Sequence, residues 1–92
     1  MTVGDLVRIT GTFSVAGVAT DPTTVTLKVR TPSGAVSTYT YAGGGVTKDA
    51  TGVYRRDVSA TEPGRWLYRW EGTGTAEAAE EGSFDVEMSA FV

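Results

Sequence analysis

The 92 residues carry a net charge of −3, with 8 basic and 11 acidic side chains and no cysteine or histidine. This composition excludes disulfide scaffolds, thiolate or imidazole zinc sites and cysteine nucleophiles, and it removes the usual general base of neutral-pH catalysis. The length predicts a single domain over residues 1–92, of a size that buries only about 60% of its unfolded surface, so the few large aromatic side chains must supply much of the core.

The first predicted strand runs from Asp5 to Phe13, where Val7, Ile9 and Phe13 share one parity and Arg8, Thr10 and Thr12 the other. Gly11 falls on the apolar parity and is expected to mark a bulge or a switch between sheets. Ser14 to Asp21 reads as a loop closed by Asp21-Pro22. Thr23 to Arg30 is the cleanest alternation, with Val25, Leu27 and Val29 inward. Thr31-Pro32-Ser33-Gly34 is a β-turn signature, and Ala35 to Tyr41 is its hairpin partner. Within that partner either Val36 or the pair Tyr39 and Tyr41 must face solvent, and the expectation is that both tyrosines do.

Ala42 to Gly45 is glycine-rich, but no lysine with Ser/Thr follows it as a phosphate-binding loop requires, so it reads as an inter-strand loop. A short strand at Val46 to Lys48 and a turn at Asp49 to Gly52 lead into the strand Val53 to Ser59. There Arg56 shares parity with Tyr54 and is expected near a sheet edge, because an unpaired buried guanidinium is costly. Pro63-Gly64 turns the chain into the densest aromatic segment, where Trp66, Tyr68 and Trp70 alternate with Leu67 and Arg69 and so share one face, the expected core. Thr73 to Glu81 reads as a hairpin loop with at most one helical turn. The last strand is Gly82 to Met88, with Phe84, Val86 and Met88 inward, and the apolar tail Ser89-Ala90-Phe91-Val92 follows.

About seven short strands separated by turn signals, with no helical period, predict an all-β fold, an immunoglobulin-like or fibronectin-type antiparallel β-sandwich. Without a Cys–Trp–Cys pattern the antibody-type subclass is excluded. The dispersed basic residues speak against nucleic acid, no stretch approaches the ~18 apolar residues of a membrane span, and the N-terminal residues lack a basic-then-apolar leader, so use without export is expected.

The chemistry-bearing residues are sparse. A glycosidase needs two carboxylates facing across a cleft, whereas Asp85 and Glu87 share a strand face and Glu77, Glu80 and Glu81 fall in one segment. No calcium loop pattern surrounds Asp49, Asp57 or the Glu77 group, and no nucleophile elbow is present. Neither cofactor nor metal is expected. Sugar rings stacking on Trp66, Trp70 or on Tyr39 and Tyr41 give a binding alternative, against which stands the core role of tryptophans on a central strand.

Gly4 to Phe13, Asp21 to Leu27 with Thr31 to Gly34, Gly52-Val53-Tyr54, Pro63 to Trp70 and Glu81 to Val86 together resemble the small immunoglobulin-like structural proteins of tailed bacteriophages. The resemblance implies a non-enzymatic virion protein made in the host cytoplasm, on the capsid surface, at the head-to-tail neck or along the tail, present in many symmetric copies and bound to other virion proteins. The expected contact residues are Tyr39, Tyr41, Phe91 and Val92. The alternative is a carbohydrate- or receptor-binding module of a bacterial surface protein or a phage fibre.

Overall fold

A computed structural model describes residues 2–88. The described residues are all-β, with nine strands: β1 (Leu6–Thr12), β2 (Ser14–Val15), β3 (Val18–Ala19), β4 (Thr24–Arg30), β5 (Val36–Thr40), β6 (Thr47–Ala50), β7 (Val53–Ser59), β8 (Gly64–Thr73) and β9 (Ala78–Val86). They form a three-stranded sheet in the order β1-β7-β6, a four-stranded sheet in the order β5-β4-β8-β9, and the small hairpin β2-β3. The pairings within all three are antiparallel.

The two larger sheets bury their facing sides against each other. Val7 and Ile9 of β1 and Tyr54 of β7 meet Val25, Leu27 and Val29 of β4, Trp66 and Trp70 of β8 and Val86 of β9 in one apolar cluster. The alternations read from β1 and β4 therefore point as expected. In β8, Trp66 and Trp70 are buried and Tyr68 is half-buried, and Trp66 stacks on Phe84 across the β8-β9 pair with ring centroids 5.7 Å apart. Pairing is continuous from Gly64 opposite Val86 to Gly72 opposite Ala78.

Several expectations are corrected. Gly11 makes no bulge: it stays in register opposite Tyr54, and a Cβ built on it would lie 2.6 Å from Cδ2 of Trp70. Its role is to let the indole approach the backbone of the opposite sheet. The segment Ser14 to Asp21 contains the β2-β3 hairpin, turned by Ala16 and Gly17 at φ +50° and +81°, the two left-handed residues of a type I′ turn. Strand β9 begins at Ala78, well before Gly82, because the ten-residue β8 offers a ladder long enough to draw it in; a 3-10 turn at Gly74–Ala76 makes the connection. At its far end Met88 is 76% exposed and not inward.

Arg56 lies on the central strand of its sheet, not at an edge. Its charge is tolerated there because the guanidinium stacks over the Tyr39 ring at 3.6 Å and Nη1 donates to the Gly45 carbonyl at 2.8 Å, a cation–π contact joined to a charge-assisted hydrogen bond. The Thr31 to Gly34 turn closes as expected, with the Gly34 N–H donating to the Thr31 carbonyl at 2.9 Å.

Two substitutions measure the sheet-to-sheet contact. Trp70→Ala is expected to lose about 3–5 kcal/mol, the range for truncating a buried Trp. Gly11→Ala, which adds a single methyl against the same indole, is expected to lose about 1–3 kcal/mol by overpacking. Urea unfolding reads both, and an unchanged midpoint for Gly11→Ala would show that the indole is not seated on that backbone.

Candidate functional site

The expected contact residues separate in the structure. Phe91 and Val92 lie outside the described residues. Tyr39, expected to face solvent with Tyr41, turns inward and is half-buried against the core. The reason is register: Tyr39 pairs with Leu27 and therefore takes the inner face, whereas Val36 pairs with Arg30 on the outer face and is 60% exposed. Of the two tyrosines only Tyr41, just past β5, is exposed, at 47%. Its ring meets Tyr54 edge-on with centroids 5.4 Å apart. Beside it Thr23, Thr24, Thr26 and Thr40 line a shallow groove of about 340 Å³.

Behind Tyr41 lies a polar hub built on Asp21. Its carboxylate accepts from Lys48 Nζ at 2.6 Å, from the Gly52 N–H at 2.8 Å and from the Tyr54 hydroxyl at 3.0 Å. The lysine and then the backbone N–H hold the Asp21 carboxyl below its ordinary range, while burial and then the Asp21 contact push the Tyr54 phenol up to about 12. The hub ties the start of β4 to the β6-β7 turn, with Gly52 at φ +72° as that turn requires.

The outer face of the four-stranded sheet carries a second constellation. Reading across the strands, Val36, Arg30, Leu67 and Ser83 form one row, and Thr38, Lys28, Arg69 and Glu81 form the next. In the second row charges are paired: Lys28 Nζ meets Glu71 at 3.3 Å, and Arg69 reaches Glu71 at 2.8 Å and Glu81 at 2.6 Å. Arg65 and Asp85 pair nearby at 3.2 Å. In the first row an exposed Arg30 stands between Val36 and Leu67, which is 44% exposed, and the two rows line a groove of about 320 Å³. Reading for aromatic side chains misses this patch. Its signal was the parity of Leu67, apolar on the side of β8 opposite the tryptophans.

The acidic residues weighed as calcium ligands have other neighbours. Asp49 and Asp57 both bind Arg55, at 2.8 and 3.4 Å, and Asp57 also binds Arg8 at 3.0 Å. Glu81 binds Arg69. Among the described residues no three acidic side chains converge as a metal site would require, and no helix is long and apolar enough to cross a membrane.

Comparison with known protein families, with curated proteins and with solved structures found no match.

The hub predicts opposite behaviour at the two ends of the pH scale. The depressed Asp21, together with Asp57 held down by Arg8 and Glu71 by Arg69 and Lys28, contributes stability that is present above the unfolded carboxylate value near 4 and is lost as pH falls through the lower folded values. The raised Tyr54 contributes stability that is present below its unfolded value of about 10 and is lost as pH rises toward about 12. Asp21→Asn should therefore lower the melting temperature most at neutral pH, with the gap to wild type closing in acid. Tyr54→Phe should cost about 1 kcal/mol at pH 7 and flatten the loss above pH ~10. A gap that stays constant from neutral pH into acid would show that Asp21 does not carry the linkage.

Proposed function

We propose that this chain is a non-enzymatic structural protein of a tailed-phage particle, an immunoglobulin-like sandwich that binds the capsid surface or the head-to-tail neck as a decoration or connector component. The observation that carries this reading is how the motifs resembling phage structural proteins divide the molecule. Gly11 and Trp70 couple the sheets, Asp21 and Tyr54 build the hub, Thr31 to Gly34 forms a turn, and Pro63-Gly64 leads into β8. The outer row of Val36, Arg30 and Leu67 faces away from the core.

The strand order supports the immunoglobulin-like assignment. A sheet ordered β1-β7-β6 faces one ordered β5-β4-β8-β9, which matches strands B-E-D against C′-C-F-G of that fold. The sequence supports the non-enzymatic part, since histidine and cysteine are absent. An exposed arginine on an outer sheet face also suits a protein–protein contact, where arginine is enriched and often carries much of the binding energy.

Quantitative mass spectrometry of purified particles from the phage that encodes the chain tests the reading. The expected result is a fixed copy number relative to the major capsid protein, reduced at least tenfold by Arg30→Glu with Leu67→Ser. Absence of the chain from purified particles would overturn it. The groove beside Tyr41 supports the second reading, a carbohydrate-binding module, because an exposed ring next to four threonine hydroxyls can stack on and hydrogen-bond to a sugar. Binding of the isolated domain on a glycan array, abolished by Tyr41→Ala, would favour that reading.

A further inference from the structure

Strand β9 ends the four-stranded sheet with nine residues, Ala78–Val86. Which of its backbone groups point away from β8 follows from two bonds. The Val3 N–H donates to the Glu87 carbonyl at 3.0 Å, and Thr2 bridges Glu87 in parallel, so the outer edge at Glu87 already accepts an added strand. On the other side of β8, the Thr23 N–H donates to the Thr73 carbonyl, which directs the odd-numbered residues of β8 toward β4 and the even-numbered ones toward β9. Because β8-β9 pairing has no register shift, alternation then leaves the N–H and C=O of Ala79, Glu81, Ser83 and Asp85 facing outward.

The other edges are shorter. Strand β5 has five residues. Strand β6 has four residues and a register shift, and β1 has seven. Charge then discriminates among occupants of β9. Glu77, Glu80, Glu81, Asp85 and Glu87 lie along it, and of these Glu81 and Asp85 are matched by Arg69 and Arg65. Glu80 has the parity of Phe84 and Val86 yet is exposed, an inward-pointing charge of the kind that keeps apolar strands off an edge. In antiparallel pairing with a second copy, the register centred on Ser83 is disfavoured, because it would set Glu81 against Asp85 of the copy and like charges directly opposite are destabilising.

We propose that the outer edge of β9 is a strand-addition site for an extended segment of another protein in which basic and β-branched residues alternate. Backbone bonds to Ala79, Glu81, Ser83 and Asp85 supply the affinity. The acidic balance along the edge, five carboxylates beside Arg65 and Arg69, favours a basic strand over a neutral one. The added strand would continue the sheet in line with the pairing that Thr2 and Val3 already make at Glu87.

The test uses the full chain and a nine-residue capped peptide of alternating lysine and valine or threonine, with a control peptide of the same composition in which the lysines are grouped at one end. The expected result is saturable binding with amide shifts concentrated at Ala79, Glu81, Ser83 and Asp85, and at least tenfold weaker binding of the control. Ser83→Pro removes one outward N–H without touching the β8 ladder, and should weaken binding at least tenfold while leaving the melting temperature within a few degrees of wild type. If that variant does not fold, amide exchange in the wild-type chain decides: the peptide should slow exchange at Glu81 and Ser83 at least tenfold, and no slowing would overturn the proposal. Equal binding of both peptides, or binding indifferent to Ser83→Pro, would reduce the effect to net charge and overturn it. So would sedimentation of the chain alone as a dimer that Ser83→Pro dissociates, which would assign the edge to a second copy.

Discussion

The approach of Trp70 to Gly11 is the contact on which the sandwich depends. Each sheet alone has one apolar face and no reason to stay flat against anything in particular. The indole of β8, wholly buried, reaches across to a backbone position where no side chain stands in its way, and that fixes both the separation and the lateral register of the two layers. Phe13 repeats the arrangement in the other direction, with its ring against Gly72. Two rings, each meeting a glycine of the opposite sheet, make a reciprocal lock. A domain this small cannot reach such definition through the bulk of its core alone.

The charged residues are arranged with comparable economy. On the outer face of the four-stranded sheet, cations of β4 and β8 stand beside carboxylates of β8 and β9, so that three of the salt bridges run across the strands, while Arg69–Glu71 runs along β8. Such exposed pairs add little to stability individually, and their effect is chiefly to fix which strand lies beside which. Asp21 acts differently. A single carboxylate satisfies a lysine, a backbone N–H and a phenol, which joins three chain segments at one end of the sandwich and supports the ring of Tyr41 through Tyr54.

Much of the architecture is legible in the sequence wherever one face of a strand is wet. Strand β4 can be read directly because Val25, Leu27 and Val29 alternate with polar residues, and β1 and β8 follow for the same reason. Strand β5 cannot, because valine, threonine and tyrosine occupy both parities and only pairing with Leu27 and Arg30 decides that Tyr39 goes in and Val36 out. The start of β9 is hidden by helix-favouring alanines and glutamates whose local preference is overridden by the ladder on β8. Gly11 is the instructive case. A glycine in a strand signals missing packing on its own strand, yet the cause lies in a side chain 59 positions away, the difference between Gly11 and Trp70 in the numbering, and no local pattern carries that information. Tyr41 stands out as an aromatic in the sequence, but its setting among threonines of β4 emerges only from the hairpin.

The strand order also governs how the chain reaches this structure. Arg8 meets Asp57 and Thr24 meets Thr73, each pair 49 positions apart in the sequence. Neither large sheet can close until its late strands have been synthesised, and β8, central to one of them, pairs with β4 only after the chain has formed β5 and passed through β6 and β7 of the other sheet. Loop-closure entropy of this kind must be overcome before the contacts that reward it exist, and all-β topologies rich in such pairings fold more slowly than helical ones. The β4-β5, β6-β7 and β8-β9 pairs are local hairpins, whereas β1-β7 and β4-β8 join distant segments, and the open edge of β4 is the side that β8 must later find.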